Sequence, residues 1–246
     1  MDTGLQGKPE LLLDLVKTKY SGIHSPFDYG EVLKTGYVDT KLLLAAYKKY
    51  LLENNLSLQE TFDYQSIQFH DDFIEYKQLK AKQIVFAEGF GLHANPYFNY
   101  LPLDGTKGEL FIIKAPDLNL DVIINTSVFI LPLGNDLFKV GATYNWQDKT
   151  NNPTVDGKKE LLERIHEILD CEFEIIDHFA GVRPTVRDRK PLIGTHPKFP
   201  QLHLLNGLGT RGVMLGPSMA IELFDSIEHQ KPLDKAIDIK RYEKKM

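Results

Sequence analysis

The residues best placed to do chemistry lie in one short stretch, Gly207-Leu208-Gly209-Thr210-Arg211-Gly212. The spacing is G-x-G-x-x-G, between a short apolar run and an apolar run able to form a helix. Glycines there let the backbone approach a ligand, and the N–H groups that open a following helix attract an anion. Three readings are open on these residues alone. They are the phosphate cradle of a dinucleotide-binding unit, a tight structural turn, and a backbone cradle for another anionic or electron-accepting group. The first needs a return strand with an acidic residue about 20 positions on, whereas only KPLDKAIDIKRYEKKM follows the helix. Other chemistries find less. His70, His178 and His196 stand apart without metal-ligand spacing, so no metal site is expected. There is no G-x-S-x-G nucleophile turn. Cys171, the single cysteine, can form neither an internal disulfide nor a cysteine cage, and reads as a structural thiol.

These residues need elements to position them. Asp39 is a good cap for a helix over Lys41–Asn54, with Leu43, Tyr47, Tyr50 and Leu51 at helical spacing. Leu11–Tyr20 suggests a shorter helix. Ser66–His70 and Phe73–Leu79 alternate around Asp71-Asp72 as a hairpin. Gln83–Ala87 (QIVFA) suits a strand buried on both faces of a parallel sheet. From Gly108 to Tyr144 the runs ELFIIKA, LDVIIN, SVFILPL and LFKVGATY, parted by turn residues, form an antiparallel meander. Lys158–Leu169 reads as a helix with Leu161, Leu162, Ile165, Ile168 and Leu169 on one stripe. A long strand over Glu172–Val186, a short one over His203–Leu205 and a helix near Pro217–Glu228 follow. Nothing before residue 56 forms the strand–glycine–helix unit that opens a nucleotide-binding domain.

Composition narrows the class. Of 246 residues, 42% are hydrophobic, enough to bury a core, so disorder of the whole chain is excluded. The net charge of −5 gives no basic face for a duplex, and nucleic acid is not expected as a partner. No run approaches 18 apolar residues, so no membrane span is expected. The opening MDTGLQGKPELLLDLVKTKY has no basic segment leading into an apolar one, and a cytoplasmic location is the expectation. The closing KRYEKKM reads as a solvated tail.

Four segments, in order, carry a resemblance. Gly30–Leu44 (GEVLKTGYVDTKLLL) resembles a run into an FAD-domain helix, and Gln83–Gly89 (QIVFAEG) a strand ending in Ala-Thr-Gly. Ala180–Gly194 (AGVRPTVRDRKPLIG) resembles a Gly-x-Arg-Pro segment followed by Asp-x-x-Pro-x-Ile-Gly. Leu205–Pro217 (LNGLGTRGVMLGP) resembles a loop under a flavin ring. Lys107-Gly108-Glu109 and Val140–Thr143 match more weakly. Together they resemble the C-terminal part of the FAD-dependent D-amino-acid oxidase superfamily, near its glycine oxidase and sarcosine oxidase branch. The likeness spans about residues 30–230. Two departures stand out. Glu88 occupies the usual Thr position, and the family's N-terminal strand–GxGxxG–helix is missing. The chain therefore reads as an N-terminally truncated piece, or as a half whose partner is supplied separately.

The resemblance implies an α+β fold of the glutathione-reductase/D-amino-acid-oxidase type, incomplete at its N-terminus. Residues 31–100 and 187–235 would form a partial FAD-binding domain, and 101–186 an antiparallel substrate-binding domain. Residues 1–30 would be a tail of the substrate domain or a connector, and 236–246 a charged tail. It implies an FAD-dependent oxidoreductase acting on the C–N bond of a small amine or amino acid, with hydride passing to the flavin. Arg183 would anchor the substrate carboxylate through two parallel hydrogen bonds, and Arg211 would add positive charge at the substrate mouth or beside the flavin. Gly89, Gly209, Thr210, Arg211, Gly212, Val213 and Met214 would lie along the cofactor, and Phe62 at its adenine end. Tyr144, Asn145 and Trp146 either line the pocket or pack on the sheet. Two rivals remain: the oxidase half of a bifunctional tRNA-uridine-modifying enzyme, and a truncated, flavin-free module without activity.

Overall fold

The computed structural model describes residues 12–245. It divides into two units. Unit 1 takes Met1–Leu58, Glu109–Thr143 and Asn152–Ala180, and unit 2 takes Gln59–Gly108, Tyr144–Asn151 and Gly181–Met246.

Unit 1 holds most of a five-stranded sheet, of which Thr106–Gly108 and Gly181–Arg183 belong to unit 2. Its strands are β7 (Thr106–Lys114), β8 (Ile124–Asn125), β9 (Phe129–Gly134), β10 (Leu137–Gly141) and β11 (Glu174–Arg183), in the order β11-β7-β10-β9-β8. The expected four-strand meander is corrected: only β8, β9 and β10 follow one another as neighbours, while β7 pairs with β10 and not with β8. The β9–β10 hairpin has a local cause. Gly134 pairs with Leu137, so Asn135-Asp136 is a two-residue loop, and both residues have positive φ, 52° and 61°. Asn and Asp tolerate that conformation, which matches the twist of the flanking strands. The alternation of β7 puts Phe111 and Ile113 fully inside with Ile130 and Val140, beneath Leu161 and Ile165 of α2 (Val155–His166). Thr154 caps α2 through Oγ1, which accepts from Gly157 N at 3.0 Å. The helix thus starts three residues earlier than the hydrophobic stripe indicates.

A further expectation in unit 1 is corrected. The segment expected to be helical over 11–20 carries strand β1 (Leu12–Val16), antiparallel to β2 (Tyr29–Val32); Leu11 lies outside the described residues. Backbone pairing with β2 overrides a weak local helix pattern here. The helix α1 (Thr40–Glu53) forms as expected, with Asp39 Oδ1 accepting from Leu42 N at 2.9 Å, but no residue of it is buried. Leu43, Tyr47 and Tyr50 are each more than half exposed. The periodicity marks a helix, and among the described residues nothing covers its apolar face.

Unit 2 holds two small sheets. β3 (Ile67–Phe69), β4 (Ile74–Tyr76) and β5 (Leu79–Ala81) form an antiparallel one, so the expected hairpin exists. β6 (Ile84–Phe86) pairs in parallel with β13 (Leu202–Asn206), which pairs antiparallel with β12 (Leu192–Thr195). Leu92, Phe98, Leu192 and Leu202 fill the core. α3 spans Gly212–His229, starting five residues before Pro217, which sits inside it. Proline reads as a helix start from sequence, but here the turn itself feeds the helix. The closing charged run is no free tail. Residues Ile239–Lys245 form a 3-10 helix, with Ile239 buried, Arg241 donating to Pro191 O at 2.9 Å and Tyr242 donating to Asp188 at 2.7 Å.

Candidate functional site

Unit 2 brings three expected pieces together. Arg183 ends β11, and Pro184 follows it. The carbonyl of Pro184 accepts from Gly209 N at 3.0 Å, so the Arg-Pro segment and the glycine turn form one hydrogen-bonded piece. Asn206, buried at the end of β13, donates from Nδ2 to Gly89 O at 2.9 Å and accepts from Gly207 N at 2.8 Å. That ties the ends of β6 and β13 to the turn. Sequence reasoning missed Asn206, and the only trace of it there was the polar residue closing an apolar strand.

The geometry of the turn bears on its three readings. Gly209 has φ +57°, which favours glycine, and a Cβ there would find only Thr185 Oγ1 at 3.8 Å. The backbone is open on that side, as a cradle needs. Gly89 is similar, with φ +58° and nothing near a Cβ. Gly212, however, has φ −56° and a Cβ would make an ordinary 3.7 Å contact with Leu208. In a dinucleotide fingerprint the third glycine is needed for close helix–strand packing. Among the described residues no strand follows α3 either. This does not fit that fingerprint; Gly209 and Gly89 leave open backbone, whereas at Gly207, with φ +71°, a Cβ would fall 2.8 Å from Val186 Cγ2, a tight turn packed on the core.

The start of α3 adds to the open backbone. No side chain caps the helix, so the N–H groups of its first turn, at Gly212, Val213 and Met214, keep the pull of the helix dipole on negative charge. Val213 and Met214 are exposed, as is Thr210. Arg211, also exposed, makes a long contact of 3.5 Å with Arg189 O. Phe62 is half-buried in an aromatic cluster, stacked on Tyr76 at 4.5 Å and edge-on to Phe86 of β6 at 5.6 Å.

Arg183 is the charged centre of the site. Its guanidinium lies over the Tyr144 ring, 4.7 Å from the centroid. A Cβ on Gly108 would fall 2.0 Å from Nη2, so glycine makes room for the guanidinium there. Burial lowers the Arg183 pKa from its ordinary value, the mark of a cation partly stripped of water. A carboxylate meeting such a cation gains more than it would at an open surface.

Other polar groups have structural partners. Glu88 accepts from the Tyr64 hydroxyl and from Asn95 Nδ2 at 2.8 Å, so its carboxylate is engaged within the fold. Burial, then the bond to Glu88, pushes the Tyr64 phenol up. His203 is buried and held to about 4 by desolvation, its Nδ1 2.9 Å from Thr195 Oγ1. His178 is not isolated: in unit 1 its Nε2 lies 2.8 Å from Glu109 Oε2, an ion-pair contact without hydrogen-bond alignment. No metal-binding group of His, Cys, Asp and Glu occurs among the described residues, and none of their helices is long and apolar enough to cross a membrane.

Comparison with known proteins agrees with this geometry. The family model described as FAD dependent oxidoreductase matches residues 8–225. Glycine oxidase of Bacillus subtilis is 26% identical over 158 residues, covering 61% of this chain and 42% of that protein. The tRNA 5-methylaminomethyl-2-thiouridine biosynthesis bifunctional protein of Marinobacter nauticus is 26% identical over 170 residues, covering 63% of this chain and 27% of that one. Among solved structures, iminodiacetate oxidase from Chelativorans sp. superposes with a TM-score of 0.67 at 21% identity, over 83% of this chain and 58% of that one. L-proline dehydrogenase from P. horikoshii gives 0.71 at 15% identity, over 87% and 63%. The fold is shared, and the chain spans under half the length of these curated relatives.

Proposed function

Because the chain belongs to the family of FAD dependent oxidoreductases, we propose that it oxidises the C–N bond of a small amine bearing a carboxylate. The observation that carries this reading is the half-buried Arg183 guanidinium, backed by Tyr144 and Gly108 and joined through Pro184 and Gly209 to an open, uncapped helix start. Arg183 binds the substrate carboxylate through two parallel N–H donors, which fixes the substrate in orientation as well as place. Gly108 leaves room for the guanidinium. Tyr144 covers it and keeps its charge out of bulk water.

The cofactor in this reading is FAD, and its ring end fits the residues present. The open backbone at Gly209 and Gly89 allows close approach, and Thr210, Arg211 and the α3 N–H groups favour negative charge. Bound FAD supplies the two-electron acceptor for the oxidation. Phe62 is the candidate neighbour of the adenine end. The turn at 207–212 does not provide the pyrophosphate cradle. In this reading that cradle comes from a strand–glycine–helix segment outside the described residues or from a partner chain.

A second reading rests on the likeness to the Marinobacter nauticus protein, and uses the same arginine and cofactor for a tRNA uridine substituent. The net charge of −5 counts against an RNA substrate on this chain alone.

The test is flavin retention. The chain is mixed with FAD, desalted, and scanned from about 300 to 550 nm, a range set by the flavin chromophore rather than by the protein. Retained flavin bands are expected. A flat spectrum, alone and with a supplied strand–glycine–helix half, overturns the cofactor assignment and leaves a flavin-free module.

A further inference from the structure

Lys107 is the least expected residue of unit 2. Its side chain is 1% exposed, with the ammonium 2.5 Å from Asp148 Oδ2 and 3.3 Å from Thr150 Oγ1. Only the ammonium is taken out of water, since Asp148 stays partly exposed, and the attraction serves mainly to offset the cost of burying that charge. What it can do is hold one arrangement against others.

The arrangement it holds is the segment Tyr144–Asn151. This segment belongs to unit 2, although the chain on both sides of it belongs to unit 1. Lys107 pairs with Asn145 through both backbone groups, N to O at 2.8 Å and O to N at 2.9 Å. The segment is also folded on itself. Asn145 Oδ1 accepts from Gln147 N and Asp148 N, and Asp148 Oδ1 accepts from Thr150 N and Oγ1. Lys149 Nζ donates to Gly105 O at 2.8 Å. At its two ends the segment meets the arginine strand. Tyr144 lies over Arg183, and Asn151 Oδ1 accepts from Val182 N at 3.1 Å. The next residue after Lys107 is Gly108, the one that makes room for the guanidinium.

We propose that Lys107 is a positioning residue for Arg183. By holding Asp148 and Thr150 it seats the 144–151 segment, and that segment sets the guanidinium against the Tyr144 ring and Gly108 in one orientation. The consequence rests on the reading of Arg183 as carboxylate anchor: a fixed guanidinium plane accepts a carboxylate through both oxygens, and a loosened one does not.

The experiment uses the full chain with 15N-labelled arginine. The Arg183 Nε–H signal is assigned by its loss in Arg183→Met. In the parent chain this signal is expected to be shifted upfield by the Tyr144 ring, and Tyr144→Leu to abolish the shift. Lys107→Met fills the buried space without the charge, and is expected to lose most of the shift while the buried His203 signals stay in place. Acetate, followed by its own line broadening, is expected to bind Lys107→Met about tenfold more weakly than the parent chain, the loss of one charge-assisted hydrogen bond. If Lys107→Met does not fold, Asp148→Asn removes the same clamp with the same expected result. A folded Lys107→Met or Asp148→Asn that keeps the parent ring-current shift overturns the proposal. Unchanged acetate binding in Arg183→Met overturns the anchor reading instead, and leaves the ring-current result to decide the role of Lys107.

Discussion

Gly209 donates its backbone N–H to the carbonyl of Pro184 at 3.0 Å, so the glycine turn moves with the segment that carries Arg183. A charged anchor and a backbone cradle are therefore set by one local geometry, and changes at either should be felt at the other.

Substitution at the anchor should separate binding from folding. Arg183→Met is expected to weaken carboxylate substrates about a hundredfold, the size of a lost bidentate pair to a charged group at 1.5–3 kcal/mol. Amines without a carboxylate should be affected far less. Steady-state KM values for the two substrate types check this, and equal losses for both would count against an anchor.

Gly108→Ala places a methyl group 2.0 Å from Arg183 Nη2. The guanidinium is the far end of a flexible side chain, so it can swing away. Stability should fall by about 1 kcal/mol, the low end of overpacking costs, while acetate affinity falls about tenfold. Urea unfolding measured beside acetate titration distinguishes this from simple misfolding.

Two of the three glycines of the turn, Gly209 and Gly212, should behave oppositely. Gly209→Ala puts a side chain at φ +57° and is expected to cost about 1–2 kcal/mol. Gly212→Ala, at φ −56° in a helix first turn with ordinary contacts, should be neutral or stabilise by up to about 1 kcal/mol. A large loss at Gly212 would restore the dinucleotide-fingerprint reading of this turn.

Acid should weaken unit 2 through His203. Its pKa falls from 6.5 to about 4 on burial, so the unfolded chain takes up the proton first. The stability from the neutral ring is complete above about pH 6.5 and declines as pH drops toward 4, by on the order of 3 kcal/mol for that shift. His203→Leu should flatten this slope in denaturation curves between pH 7 and 4, and an unchanged slope would point to other groups.

Much of this was legible in the residues. The β9–β10 hairpin, the hairpin around Asp71-Asp72, the cap at Asp39 and the strand feeding the glycine turn all follow from alternation, turn chemistry and capping, which are local; the pairing of β7 with β10, past β8 and β9, does not. Arg183 and the 207–214 loop stood out by resemblance, and the structure brings them to one hydrogen-bonded piece. What was not legible depends on distant partners. Nothing in KGE announces that Lys107 is buried against Asp148, 41 positions away. The engagement of Glu88 by Tyr64 and Asn95 and the link from Asn206 to Gly89 are equally non-local. The start of α3 was misread because Pro217 looks like a first helical residue. The periodicity of α1 shows that an apolar face exists without showing what meets it.

The most direct test of the account is a difference spectrum. Acetate is titrated into the FAD-equilibrated, desalted protein and into Arg183→Met of equal flavin content. The account predicts a saturable change in the flavin bands of the parent chain and none in Arg183→Met, because the carboxylate is held beside the ring by that arginine. The same change in both proteins, or no change in the parent, would contradict it.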